Sequence, residues 1–540
     1  MPDAVVIGAG PNGLVAANLL ADAGWTVEVL EAQDEPGGGV RSDRAVHPAY
    51  VHDLFSSFYP LAAASPVIRR LELEREGLRW SHAPAVVAHP LLDGRCAMLH
   101  RQPADTAALL EADAPGDGEA WLRLCGLWDR LGDDILDALF TPFPPVRAGL
   151  RLAARLWAAG GLRLARTMIL PVRRLGDEEF RGALGPLLLA GNALHADLAP
   201  EAAGSGGFGW LMAMLGQAFG FPVPVGGAQC LVTALVDRLR RGGGTVRCGA
   251  RVASVVVRSG RAVGVRLADG QVVAAARAVL ADVSAPALYQ HLLDRADLPG
   301  RVREDLRRFQ WDFATFKVDW ALDGPVPWSA EAAGRAGTVH LAEGVDGLTR
   351  FAAQVAMGQV PERPFLLFGQ MTTADSTRSP SGTESAWAYT HLPHHIRGDA
   401  AEGGITGAWQ RGDRERMADR IEEQIERYAP GFRALIRARR AMAPPDIEAA
   451  DANLHHGAIN GGTAALHQQL VFRPVPGTGR PETPIAGLFL ASAAAHPGGG
   501  VHGAPGANAA HAALRSRSPS RLLSGAQRAL TRRNRFGQRA

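Results

Sequence analysis

The sequence is almost devoid of lysine. Of its 57 basic residues one, Lys317, is a lysine and the rest are arginine. With the Ala and Gly richness this reads as a high-GC coding bias, and it makes the retained lysine conspicuous. Cysteine is scarce as well. Cys96, Cys125, Cys230 and Cys248 are far apart and none has a CxxC or Cys/His spacing. Free thiols in a reducing compartment are therefore expected, and no metal site. No apolar run approaches the roughly 18–20 residues of a membrane-spanning helix, and the apolar N-terminus lacks the charged n-region of a signal peptide. A cytoplasmic protein is expected. Charge of one sign is lacking too: 57 basic against 54 acidic residues give +3, which argues against a general nucleic-acid binder. What remains is a chain of 540 residues, 47% hydrophobic and 21% charged, a globular composition. At roughly 100–200 residues per domain the length suggests three or four domains, a size that interleaved two-domain enzymes also reach.

The first thirty residues carry the strongest signal. Ala4 to Ile7 is an apolar run of buried parallel-strand type. It leads into Gly8-Ala9-Gly10-Pro11-Asn12-Gly13, a helical stretch from Leu14 to Ala23 ended by Gly24, a second strand from Thr26 to Leu30, and an acid, Glu31. In such a unit Gly8 makes the tight turn, Gly10 lets a pyrophosphate approach the backbone, and Gly13 lets helix pack on strand. The helix N-terminus presents N–H groups to phosphate, and Glu31 is placed to accept from a ribose hydroxyl. A carboxylate there disfavours a 2′-phosphate. The unit predicts a dinucleotide site.

Just past the acid, Ala32-Gln-Asp-Glu-Pro-Gly37-Gly38-Gly39-Val40-Arg41-Ser42 resembles the second FAD fingerprint of the amine oxidase and phytoene desaturase superfamily. At the other end Leu488 to Ala491 reads as a buried strand, followed by Ser492-Ala-Ala-Ala-His496-Pro497-Gly498-Gly499-Gly500-Val501-His502-Gly503 and an Ala-rich helix. This segment, with Arg473-Pro474 before it and Pro224-Val-Gly226-Gly227 in mid-chain, is similar to the phytoene dehydrogenase-related proteins. That group takes in bacterial phytoene desaturase-like enzymes, plant carotenoid isomerases and an animal pyridine nucleotide-disulfide oxidoreductase domain-containing protein. The resemblance is dense over residues 3–68 and 456–513. It implies FAD as cofactor, held by Gly8, Gly10, Pro11, Asn12, Gly13, Glu31, Ala32, Gly38, Gly39, Arg41, Ser492, Gly499, Gly500 and Val501, with Val252 on the adenine side. Many relatives have an acid after the last strand; Ala491-Ser492-Ala493 has none.

The implied fold is α/β: a discontinuous Rossmann-like FAD-binding domain (1–70, 220–290 and 475–515) with an interleaved α+β substrate-binding domain (71–219 and 291–474) carrying a mixed sheet. Phe313 to Leu322, Pro364 to Thr372 and Ser385 to Leu392 have strand character, Arg414 to Tyr428 is an amphipathic helix, and Gly204 to Gly209 reads as a loop. Arg147 to Arg174 holds seven arginines and no acid, interleaved with Leu, Trp157, Met168 and Ile169. Such a segment either lies on an anionic membrane surface or is a solvated face. Residues 516–540 form a basic tail.

The resemblance implies an FAD-dependent oxidoreductase that takes a hydride to flavin N5 from a carbon centre of a lipophilic or polyene-like small molecule. A reduced-flavin-dependent polyene isomerase and a non-catalytic FAD-stabilised interaction protein are the alternatives. Oxygen, a quinone or NAD would accept the electrons, and the oligomeric state is left open. His496 and His502 flank the glycine run at the expected flavin edge, although His502 also suits a packing role. His52, with Asp53, resembles the segment that covers the flavin and equally suits a helix cap. Tyr59 and His195 are candidate pocket residues. Lys317 lies on a strand similar to the one on which flavin amine oxidases carry a lysine that holds a water at N5; lysine is also common on exposed edge strands.

Overall fold

The computed structural model describes residues 1–401 and 403–516; the basic tail beyond Ser516 lies outside the described residues. Ala4–Ile7 is buried throughout and pairs in parallel with Val27–Leu30 on one side and Ala278–Ala281 on the other. Leu488–Leu490 and Thr245–Arg247 complete a five-stranded parallel sheet in the order 488–490, 278–281, 4–7, 27–30, 245–247. Short apolar runs of Val, Ile and Leu suit strands covered on both faces. Helix Pro11–Asp22 starts with proline at its first position, where the ring removes an N–H that has no partner anyway. The C-terminal helix Ala504–Arg515 crosses it. At the crossing, a Cβ on Gly506 would stand 1.9 Å from the Asn12 carbonyl oxygen.

The second large sheet is mixed, with seven strands in the order 436–442, 314–322, 384–392, 366–370, 336–341, 85–90, 96–99. Only 336–341 and 85–90 run parallel. Strand Ala314–Leu322 lies inside this sheet, paired with Glu384–Leu392 and with Ile436–Met442, and all nine of its residues are buried. Lys317 is therefore not on an exposed edge. A three-stranded antiparallel sheet, 252–258, 261–267 and 272–274, packs beside the parallel one.

Two segments differ from their sequence expectation. Gly204 to Gly209, expected as a loop, opens helix Ser205–Phe219. Its glycines serve close helix packing: a Cβ on Gly209 would lie 2.3 Å from the Leu189 carbonyl oxygen, and one on Gly206 would lie 2.9 Å from that of Leu170. Arg147 to Arg174 folds as helices Val146–Ala159 and Leu162–Ile169, broken by Gly160 and Gly161 at positive φ, then enters Val172–Glu179. Its charge is largely matched. Arg151 and Arg155 pair with Asp134, Arg166 and Arg174 with Glu178, and Arg173 with Glu201 and Asp346. Among the described residues no helix is long and apolar enough to cross a membrane.

The helix crossing sets a test. Gly506→Val forces side-chain atoms into backbone that has no room to retreat, so unfolding free energy should drop by about 3 kcal/mol, the upper end for overpacking. Thermal melts that coincide with wild type would show that the two helices do not meet at this point.

Candidate active site

Four of the five strands of the parallel sheet, 4–7, 27–30, 278–281 and 488–490, lead into one cavity of about 1230 Å3. It runs from Gly8, Gly10, Pro11 and Asn12, past Glu31, Ala32, Gly38, Gly39, Arg41 and Val252, to Ser492, Gly499, Gly500 and Val501. It continues between the sheets to Lys317, Trp387, Tyr389 and His195. Tyr59, His496 and His502 also border it. Gly13 does not line it; a Cβ there would meet the Gly8 carbonyl at 2.3 Å, so this glycine serves helix-on-strand packing. His52 does not line it either. Its ring is fully buried and its Nε2 lies 3.0 Å from the Trp320 carbonyl oxygen, which fixes strand 52–53 against the large sheet. The expectation that His52 reaches a substrate is corrected.

At the turn, the Glu31 carboxylate is fixed by the Ala9 amide at 2.8 Å and the Gln33 amide at 2.9 Å. Both oxygens keep lone pairs for a hydroxyl in the cavity. The Asn12 side-chain oxygen is buried, borders the cavity and has no protein partner. Gly39 has open space where a Cβ would stand. Arg41 donates to the Gly38 and Ala450 carbonyl oxygens, which pins the glycine segment. An orphan acceptor, a glycine-lined gap and a helix N-terminus together fit a bound dinucleotide.

One residue at this turn escaped the sequence reading. The Asp282 carboxylate accepts from the Gly13 amide at 2.8 Å and fills the space over Gly10, where a Cβ would stand 2.7 Å from its oxygen. Burial pushes its pKa up to about 8. Asp282 follows strand Ala278–Ala281 immediately, and an acid at a strand end was the available signal. Arg473 was quoted only as part of a motif. It is buried and donates to the carbonyl oxygens of Asn460, Gly461, Gly462, Thr463 and Ala493, tying the 460–463 turn to the loop after the last strand.

Lys317 is buried on the cavity wall. Its Nζ donates to the Asp53 carbonyl oxygen at 3.0 Å, pairs with Asp319, and lies 5.9 Å from the centre of the Trp387 ring. Burial lowers its pKa, opposed by the Asp319 carboxylate. An ammonium has three N–H groups, so one is left for whatever the cavity holds. Burial also pushes His195, His496 and His502 down to about 4, which makes them neutral at pH 7. The His502 Nδ1 accepts from the Ala504 amide at 3.2 Å and so caps the C-terminal helix, with the ring against Phe140. His195 faces Phe221, His340 and Tyr389.

A parallel sheet whose strand ends form a dinucleotide-type turn, with a mixed sheet closing the cavity over it, defines a nucleotide-cofactor-binding protein. The comparisons give the family. Residues 12–510 match the flavin containing amine oxidoreductases, and the chain belongs to that family. It is 28% identical to mouse pyridine nucleotide-disulfide oxidoreductase domain-containing protein 2, over 95% of this chain and 93% of that protein. It is 26% identical to a lycopene-forming phytoene desaturase of Pseudescherichia vulneris, over 95% and 99%. Among solved structures it shares its fold with a putrescine oxidase variant (TM-score 0.60, 17% identity, 96% and 99% covered) and an oxidoreductase from Methanosarcina mazei (0.59, 17%, 95% and 99%). The protein is an FAD-dependent oxidoreductase of the amine oxidase superfamily.

Asp282 gives this site a pH dependence. Below about pH 8 its carboxyl is neutral; above that it ionises beside the N-terminus of helix Pro11–Asp22. FAD affinity should be flat from pH 6 to about 8 and then fall by about ten-fold per unit, because binding must take up one proton. Asp282→Asn should keep the fit and remove the slope. Equal slopes in variant and wild type, by fluorescence titration of apo-protein, would rule Asp282 out.

Proposed function

We propose that the protein takes a hydride from a carbon centre of a lipophilic, polyene-like small molecule, acting on a CH–CH or CH–NH bond. One observation carries this reading: beyond Lys317 the cavity wall is apolar, built from Phe58, Leu61, Phe208, Leu211, Met212, Leu215 and Phe221. Such a wall favours a lipophilic substrate, hydrocarbon or amine, over a small strongly hydrated cation. Several relatives are named phytoene desaturases. Bound FAD supplies the hydride acceptor. In this reading the turn from Gly8 to Gly13 and the helix behind it receive the pyrophosphate. Glu31 and Ala32 receive the ribose, and Gly38, Gly39 and Arg41 the chain beyond it. Val252 faces the adenine side, and Ser492 with Gly499, Gly500 and Val501 takes the flavin end. Lys317 holds a water or the flavin edge with its remaining N–H. Neutral His496 and His502 stand at the same end, and Tyr59 and His195 face the substrate. Anaerobic mixing of the FAD-loaded protein with lipophilic polyenes should bleach the flavin. Isomerisation only after prior reduction would replace this reading with an isomerase, and neither response would end it.

Lys317 is tested separately. Lys317→Met should keep FAD, because Asp319 retains Arg440 at 2.9 Å, and should slow flavin reduction or reoxidation by an order of magnitude or more. Lys317→Arg should not restore the rate, since a planar guanidinium cannot replace a compact ammonium. Wild-type rates in the Met variant would remove Lys317 from the reaction.

We further propose that the substrate enters from a membrane surface. Val146, Leu150, Trp157, Leu162 and Ile169 are exposed on the two arginine-rich helices, and Leu466, Leu470, Val471 and Phe472 are exposed on the loop beside them. Leu466 packs at Gly204, whose amide donates to the Ile169 carbonyl oxygen at 2.9 Å, so the two segments adjoin there. Leu466 and Leu470 also border the cavity. Because most of the arginines are paired with acids, apolar insertion rather than charge should dominate. Trp157→Ser with Leu162→Ser should lower partition onto anionic liposomes by about ten-fold or more, while moderate salt changes it little. Undiminished sedimentation of the double variant with liposomes, or none by wild type, would reject the surface.

A further inference from the structure

Glu448, His455 and His456 converge where no function has been placed. Glu448 lies on helix Pro444–Ala450, and the chain then turns through Asp451 to Leu454 before the short helical turn His455–Gly457. The turn brings the two histidines back over the helix. His455 Nδ1 is 2.7 Å from one Glu448 oxygen, and the His456 amide donates to the other at 3.1 Å. The two imidazoles lie with centroids 4.3 Å apart and nearly perpendicular, and the His455 ring rests on Trp311 at 5.0 Å. His456 takes a left-handed conformation, φ 49° and ψ 30°, which is uncommon for a residue with a Cβ. The fold thus holds a residue in a glycine-type conformation where its side chain joins the other two. One ligand atom from each of the three lies within 4.8 Å of the others. Around a tetrahedral ion with ligand bonds of about 2.0–2.2 Å, such atoms stand roughly 3.3–3.6 Å apart. Shifts of about 1 Å therefore close the set.

We propose that Glu448, His455 and His456 form a site for a divalent transition cation of zinc or copper type. Two imidazoles and a carboxylate are borderline and hard donors, which suit Zn2+ and Cu2+ rather than the all-oxygen Ca2+ or Mg2+. Three protein ligands leave a fourth position open. Glu448 and His455 border the large cavity, so that position is available to water or to a carboxylate or hydroxyl of a molecule within it. His394, whose ring is 6.3 Å from that of His456, donates from Nε2 to the Asp312 carbonyl oxygen at 2.6 Å and is a neighbour rather than a ligand.

The test uses the full-length, FAD-loaded protein, free of any affinity tag and stripped with chelator. Calorimetric titration with Zn2+ should show one ion per chain with a dissociation constant in the micromolar range or below, and Cu2+ electron paramagnetic resonance should show coupling to two imidazole nitrogens. Glu448→Gln and His456→Gly should each weaken binding by more than about ten-fold. Glycine removes the ligand while keeping the left-handed backbone, and an unchanged flavin spectrum shows that the fold is intact. No saturable binding in wild type overturns the proposal. So does Zn2+ binding that both variants retain, because the ion then sits on other histidines.

Discussion

A buried chain of ion pairs ties the nucleotide half of the molecule to the mixed sheet. The Asp53 carboxylate accepts from Ser42 Oγ at 2.6 Å, the Ala228 amide at 2.8 Å and Arg378 at 3.0 Å. Arg378, with no exposed surface, also donates to Asp375 at 2.9 Å and to the Pro224 carbonyl oxygen at 3.2 Å. Asp375 in turn accepts from the Gly226 amide at 2.8 Å. On the other side of Asp53 its carbonyl oxygen holds Lys317, which pairs with Asp319, and Asp319 takes Arg440, which reaches Asp43. Five segments distant in sequence meet in this chain. Taking so many charges out of water is costly, and the pairing restores the loss only with close geometry; leaving one partner unpaired costs about 3–5 kcal/mol. The chain therefore contributes less to net stability than to specifying where the segments stand.

The nucleotide half was legible because its signals are local. Strand, glycine turn, helix, strand and acid lie within about thirty residues, and each follows from backbone geometry. Glu31, Gly10, Gly39 and Gly499 consequently fall on one cavity, as do Lys317 and His496. What the sequence hid depends on contacts across hundreds of residues. Asp282 meets Gly13 across 269 positions and Arg378 meets Asp53 across 325, and neither spacing has a periodicity to read. The run from Gly204 to Gly209 misled for a different reason. Glycine marks loops by its conformational freedom, yet here it marks a helix whose neighbours come closer than any Cβ allows. Glu448, His455 and His456 were invisible as a set because a left-handed turn, not a helical repeat, brings them together.

The glycine turn itself changes meaning once Asp282 is in view. Gly8 was read as the tight turn and Gly10 as room for a cofactor. The structure has a Cβ on Gly8 meeting the Asp282 carbonyl oxygen at 2.7 Å and one on Gly10 meeting its carboxylate at 2.7 Å. The same two glycines thus make room for Asp282, Gly8 for its backbone and Gly10 for the carboxyl that caps the helix through Gly13. A neutral carboxyl there can stay when an anionic group arrives, since only its ionised form would repel phosphate.

Strand Ala314–Leu322 shows how one element serves both core and site. Its alternation sends Phe316, Val318 and Trp320 into the apolar core of the mixed sheet, while Thr315, Lys317 and Asp319 occupy the other face. On sequence such alternation reads as a half-exposed strand. Here the polar face is equally buried, because the charges are paired with each other, with Arg440 and with backbone. Thr315 and Lys317 border the cavity from that face, and the apolar arm begins beyond them at Trp387 and Tyr389 of the neighbouring strand. The cavity is therefore graded: fixed charge and backbone donors at the glycine turn, and hydrocarbon at the far end. Lys317 stands at the boundary, held by Asp53 and Asp319 from outside the cavity, so its position is set before any ligand enters. A side chain preorganised in this way loses little entropy when it meets a ligand. The single ammonium of a chain that otherwise uses arginine is thus held on the cavity wall by backbone and carboxylate together.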